Sequence, residues 1–138
     1  YHTTHTNFNT KIINISGKTK EYFMLENIGH GGYQAGLDYI IGGNDNTSGI
    51  AIWHIDDNQS NNGADVNHKL VDLEEAAEAG MDNSSHSGKQ TNLFFSGNKT
   101  EFSDSTDPNS KTYSGTSSGI TIDNISAAGD SMTFDVTF

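Results

Sequence analysis

The chain contains no cysteine and no arginine, a single proline and a single tryptophan. Without cysteine there is no disulfide and no thiolate nucleophile or ligand. Without arginine it lacks the side chain best suited to bidentate contacts with phosphate and guanine. Seven lysines stand against 18 acidic residues, a formal net charge of −11, so the chain repels a nucleic-acid backbone and an anionic membrane surface. No apolar run approaches the roughly 20 residues of a membrane-spanning helix, and no signal-peptide pattern opens the sequence. H-E-x-x-H, G-x-S-x-G and a Gly-rich phosphate loop ahead of a helix are all missing, which removes the commonest signatures of zinc-peptidase, serine-hydrolase and nucleotide chemistry.

What is present fits one domain. The chain has 138 residues, 32% of them hydrophobic, with 15 glycines spread along its length. A chain of this size buries roughly two-thirds of its unfolded surface, and this composition suits short strands joined by loops. Lys11–Ile15 (KIINI), a Ser16-Gly17 turn and Glu21–Asn27 (EYFMLEN) read as a hairpin. Ile50–Asp56 (IAIWHID) is the strongest strand. Its Ala51, Trp53 and Ile55 face one way and its Ile50, Ile52, His54 and Asp56 the other, and both faces are apolar at the start, as in a central strand covered on both sides. Lys69–Leu73 (KLVDL) reads as a further strand, and Leu93–Phe95 as a short apolar patch. Gly119–Ile125 and Ser131–Phe138 form a second hairpin across Ala127–Asp130, with Met132, Phe134, Val136 and Phe138 facing inward. Glu74–Ala79 (EEAAEA) is the one helix-forming run and spans at most two turns. Residues 1–10 carry no strand or helix punctuation and are expected to lie outside the fold, at the cut end of a longer chain. The expected fold is therefore all-β: one antiparallel, sandwich-like domain of about six strands, with long Gly/Asn/Ser-rich loops and at most one short helix.

Four groups of side chains are candidates for chemistry. His54 and Asp56 share a strand face at i, i+2, a spacing that lets an Asp orient a His. No nucleophile goes with them, so a hydrogen-bonded His at a strand end is the simpler expectation. Asp56, Asp57, Asp72 and Glu74, with Glu75 beside them, cluster at two strand ends. If those ends emerge together they supply the oxygen ligands of a Ca²⁺ site; otherwise they are solvated strand ends. Asp104, Asp107 and Asn109 (DSTDPN) form a second oxygen-rich loop that reads equally well as a turn. His2 and His5 lie i, i+3 in a Thr-rich stretch and make a weak metal pair.

Several stretches, taken in order, carry a resemblance: EYFMLEN (Glu21–Asn27), YQAGL (Tyr33–Leu37), SGIAIWHIDDN (Ser48–Asn58), NHKLVDLEEA (Asn67–Ala76), FFSG (Phe94–Gly97), FSDSTDPNSKTYSGTSSGITIDNIS (Phe102–Ser126) and MTFDV (Met132–Val136). The set resembles the C-terminal part of the protease region in immune inhibitor A-like secreted bacterial zinc metallopeptidases, and it spans nearly all of the chain from Glu21 onward. The resemblance implies a secreted, extracellular parent enzyme whose H-E-x-x-H helix and Zn²⁺ lie upstream. It assigns no catalytic residue and no zinc ligand to this chain. Two stretches depart from the family pattern: a longer loop between EN and WHID, and Ala77-Glu78 after DLEEA.

The function expected is that of a non-catalytic β-rich segment supporting or flanking the upstream catalytic domain. Its partners are then that domain and the parent's protein substrates, with no nucleic acid and no membrane span. The alternative is a Ca²⁺-dependent carbohydrate- or surface-binding β-sandwich module, for which Tyr33, Tyr39 and Tyr113 are the candidate platforms. A hydrolase resting on His54 and Asp56 is the third reading.

Overall fold

The computed structural model describes residues 2–6, 10–29, 48–62, 65, 67–77, 81 and 88–138. Among them are seven strands: β1 (His2–Thr6), β2 (Thr10–Asn14), β3 (Glu21–Ile28), β4 (Gly49–Asp56), β5 (Val71–Leu73), β6 (Thr121–Asp123) and β7 (Thr133–Thr137). They form two antiparallel sheets, ordered β2-β3-β4-β5 and β1-β7-β6. The fold is all-β, as the turn spacing predicts.

Strand alternation builds the core. Ile13, Phe23, Leu25, Ile50 and Ile52 point from the first sheet, and Ile122, Phe134 and Val136 from the second, into one buried cluster. Phe102 joins the two halves: its ring packs edge-on against Phe23 (5.1 Å between centroids) and Phe94 (5.9 Å). Isolated bridges extend both sheets, Ile50 with Phe94 on the β5 side of β4, and Phe102 with Ile122 outside β6. β4 is thus flanked along its whole length, by β3 on one side and by β5 and then Phe94 on the other.

The structure departs from the sequence expectations in four places. Residues 2–6 form a strand, held by antiparallel pairing with β7 instead of by an apolar pattern of their own. Glu74–Ala77 is not helical: Glu74 N–H bonds Ile52 O and Ala76 N–H bonds Asn92 O, so the segment runs on along the β4 edge. The helical residues described are a single 3₁₀ turn at Gln90–Asn92. Phe138, expected to face inward, is 54% exposed because β7 ends at Thr137. The Gly-rich loop after β3, with Tyr33 and Tyr39, and the apolar run Leu37–Ile41 lie outside the described residues.

Candidate functional site

The inner face of the first sheet changes character along β4. Ile50 and Ile52 are core, and the next two residues on the same face are His54 and Asp56, both buried (2% and 4% exposed). The register surrounds His54 with acid. Its cross-strand neighbours are Phe23 and Asp72. Glu21 and Glu74 sit two residues from those on the same face, within reach as diagonal neighbours. His54 Nε2 lies 3.1 Å from Glu21 Oε1 and its Nδ1 3.1 Å from Glu74 Oε1. Both ring nitrogens of His54 thus have a carboxyl partner.

Aromatic stacking completes the cluster. His54 packs on Phe23 (4.5 Å) and, nearly parallel, on Tyr113 (4.1 Å, 9°). His68 covers the other face of Tyr113 (4.2 Å, 26°). Tyr113 comes from the loop before β6 and is anchored by its own N–H, which donates to Glu21 Oε1 at 2.7 Å. Its buried hydroxyl lies beside the Lys69 amide but forms no hydrogen bond of normal geometry. Burial, then the charges of Asp72, Glu74 and Glu21, push the phenol far above its usual range, so Tyr113 stays protonated and is no general base.

His68 Nε2 meets Asp56 Oδ2 at 2.7 Å. The other Asp56 oxygen accepts the backbone and side-chain N–H of Asn58 (2.9 and 2.7 Å). Burial works against this charge, but the Asn58 and His68 hydrogen bonds outweigh it and hold Asp56 below the usual carboxylate range. Glu75 is buried as well; its Oε1 accepts from Asn92 Nδ2 (2.9 Å) and Met81 N (3.1 Å).

The cluster borders an open cleft of about 540 Å³. His54, Asp72, Glu74, Glu75, Lys111 and Tyr113 are among the residues that line it. Asp72 is tied to Lys69 (2.6 Å).

The sequence reading paired His54 with Asp56. They do share a buried face, but they do not bond each other: His54 goes to Glu21 and Glu74, Asp56 to His68 and Asn58. No serine or threonine hydroxyl among the described residues bonds either imidazole, so no nucleophile–His–acid chain exists there. Trp53, read as a core residue, lies on the opposite face, half-buried, with its indole N–H donated to Glu26 (3.2 Å).

The four proposed calcium ligands do not converge. Asp56 is engaged by His68 and Asn58, Asp72 by Lys69 and Glu74 by His54, while Asp57 is exposed beside Tyr22. Among the described residues no three His, Asp or Glu side chains are grouped to hold a metal ion. Ca²⁺ takes several oxygens at once, and here three of the four carboxylates face a lysine or an imidazole.

In the DSTDPN loop, Asp104 is a hub. Its carboxylate accepts from Ser117 Oγ, Ser110 Oγ (3.2 Å), Ser118 N (3.0 Å) and Gly119 N (3.1 Å). Burial opposes its charge, and these donors outweigh burial, holding Asp104 below the usual range. Asn109 caps a turn by accepting Lys111 N–H. The loop is a hydrogen-bonded turn, one of the two readings its sequence allowed.

The residues that sequence reasoning missed are Glu21 and His68. Glu21 carried a usable signal, since it shares strand parity with Phe23 and Leu25 and therefore faces inward. His68 carried none. Compared with protein-family models, curated proteins and solved structures, the chain shows no significant match.

Proposed function

We propose that the chain is a non-catalytic β-sandwich segment of a secreted bacterial zinc metallopeptidase of the immune inhibitor A-like kind, standing beside the zinc-bearing part of the same polypeptide. The observation that supports the non-catalytic half of this reading is the saturation of the polar cluster. Both nitrogens of His54, both oxygens of Asp56 and the facing oxygens of Glu21 and Glu74 already have partners within the chain. A general base needs a free lone pair within reach of the proton it takes, and His54 has none. The cluster instead ties β3, β4 and the end of β5 to the loops that carry His68 and Tyr113. In the parent, this cleft would form part of the wall along which a protein substrate passes. The ordered motifs from EYFMLEN to MTFDV support the peptidase half.

Two measurements test this. The coding sequence upstream of Tyr1 should contain H-E-x-x-H, and its absence there would sink the peptidase reading. The purified 138-residue chain should hydrolyse neither casein nor simple esters, whereas the parent should cleave casein and lose that activity to a zinc chelator. Hydrolysis by the isolated chain would return the hydrolase reading.

A further inference from the structure

The β2-β3-β4-β5 sheet ends on one side at β5, and the hydrogen bonds along β5 alternate. Leu70 O accepts the Asp56 N–H, Glu74 N–H donates to Ile52 O, and Asp72 pairs with His54 between them. Residues 70, 72 and 74 therefore bond to β4, while Val71 and Leu73 turn their N–H and C=O groups away from it. Both groups of Val71 are met by one side chain. Asn62 Oδ1 accepts the Val71 N–H and Asn62 Nδ2 donates to Val71 O, each at 2.9 Å. A carboxamide carries the same donor and acceptor as a peptide group, so Asn62 stands where a further strand would lie.

Nothing comparable covers the next positions. Ala76 N–H donates to Asn92 O, so the same alternation leaves Leu73 and Glu75 facing outward. No partner among the described residues meets their outward N–H and C=O groups. Asp72 to Ala77 line the open cleft without a break. An uncovered strand edge is a template for another extended chain. Charge narrows the occupant. The described residues lining the cleft include four carboxylates, Asp72, Glu74, Glu75 and Asp107, against two lysines, Lys99 and Lys111. Even with Lys69 paired to Asp72, acid is in excess there, on a chain of net charge −11. That field favours a cationic partner and opposes a second copy.

We propose that the edge at Leu73 and Glu75 takes up an extended peptide bearing lysine or arginine, which joins the β2-β3-β4-β5 sheet as a fifth strand beside the cleft. Asn62 sets one end of this site, because its carboxamide already fills the place opposite Val71. The proposal rests on the reading of the cleft as a wall along which a protein substrate passes, and it names how a substrate segment is held there and which charge it carries.

The probe is an acetylated, amidated octapeptide of alternating valine and lysine, titrated into the 138-residue chain and followed by amide NMR signals and hydrogen exchange. The Leu73 and Glu75 amides should shift and gain protection. N-methylation of two adjacent central residues removes pairing N–H groups from both edges of the peptide and should weaken binding about tenfold or more. Exchanging its lysines for glutamates should abolish binding. Asn62 is exposed, and Asn62→Ala uncovers Val71, so this variant should bind the peptide about two- to tenfold more tightly, the worth of one ordinary hydrogen bond. Binding that ignores N-methylation, signals that shift away from Leu73 and Glu75, or no binding at millimolar peptide would overturn the proposal. A concentration-dependent dimer that protects the same amides would assign the edge to a second copy and overturn it as well. If the peptide binds as described but no H-E-x-x-H lies upstream of Tyr1, the peptidase reading fails and the strand site stands. If the motif is present and the peptide does not bind, the strand site fails and the peptidase reading stands.

Discussion

The molecule holds two polar hubs built from carboxylates, and they differ in what surrounds the charge. Asp104 is met by hydroxyls and backbone amides from a stretch of fewer than twenty residues. Glu21, Glu74 and Asp56 are met chiefly by imidazoles, across separations of 33, 20 and 12 residues. The first hub closes one loop. The second joins β3, β4, the end of β5 and two loops, with aromatic rings stacked through its middle. Neutral donors keep their hydrogens at every ordinary pH, so the Asp104 hub has one titrating member. The His54 hub is a network of imidazoles and carboxyls whose members depend on one another.

That difference is broken most severely at His54. His54→Leu keeps the volume but leaves Glu21 and Glu74 facing each other in a buried site without the ring that separates them. Removing one partner of a buried charged pair costs about 3–5 kcal/mol. Glu21 retains the Tyr113 amide and Lys18 at 3.6 Å, so a loss near the lower end, about 3 kcal/mol, is expected in urea unfolding. A loss under about 1 kcal/mol would mean that the triad contributes no net stability. The double change with Glu74→Gln should recover part of it.

Asp104→Asn comes next. The amide keeps one acceptor and loses the charge, so hydrogen bonds to a charged group become ordinary ones. A cost of about 2 kcal/mol is expected at pH 7. The pH dependence sharpens the contrast. Asp104 and Asp56 both have folded-state pKa values below the ordinary 3.8. The unfolded chain therefore binds protons first as pH falls, and the stability these groups contribute, complete well above pH 3.8, is lost as pH drops through their folded-state values. Urea midpoints measured from pH 5 downward should fall for the wild type, and less steeply for Asp104→Asn. Identical slopes would refute the assignment of Asp104 to acid stability.

How much of this was legible in the sequence follows the range of the forces involved. The β2–β3 hairpin was readable because its turn is local, Ser16-Gly17 with Gly17 at φ 75°. The central place of β4 was readable because Ile50, Ala51 and Ile52 put apolar side chains on both faces at its start, and all three are buried. β1 was not readable, because a strand of Thr and His is specified by its partner β7 and not by itself. Glu74–Ala77 looked helical because propensity is a local quantity. Tertiary bonds overrode it: Glu74 is drawn to His54, Glu75 to Asn92 and the backbone to Ile52. The cluster itself was half legible. Strand parity brings His54, Asp56 and Glu21 to one face, but nothing in sequence places His68 and Tyr113, which arrive from loops. The resemblance to a peptidase segment bears on none of these contacts.

Tyr113→Phe tests the centre of the His54 hub with the opposite sign. The buried hydroxyl forms no hydrogen bond of normal geometry, and leaving such a group unpaired is unfavourable. The phenylalanine ring keeps both imidazole stacks. A gain of up to about 1 kcal/mol at pH 7 is expected. The folded-state phenol pKa is raised above 10.0, so the wild type loses stability as pH climbs above that value while the unfolded chain ionises. Tyr113→Phe should show a shallower alkaline decline. A destabilised variant would indicate that a water or an unseen donor satisfies the hydroxyl.

The smallest effect returns to Asp104. Ser117 is exposed and its hydroxyl is one donor among several to the same carboxylate. In Ser117→Ala the Ser118 and Gly119 amides still hold Asp104, and water reaches the vacated lone pair, so no buried acceptor is orphaned. The expected cost is about 0.5 kcal/mol, the low end for an intramolecular hydrogen bond. Ser118→Ala offers the internal control: its hydroxyl also accepts the Ile120 N–H and bonds Ser110, so it should cost more than Ser117→Ala. If the two losses are equal, the hub is held by its backbone amides alone and the side-chain donors are incidental. If Ser117→Ala costs more, the exposed serine, and not the chain behind it, sets the geometry of the loop. A thermal melt of the two variants beside the wild type separates these outcomes, and it does so without touching a residue of the imidazole hub.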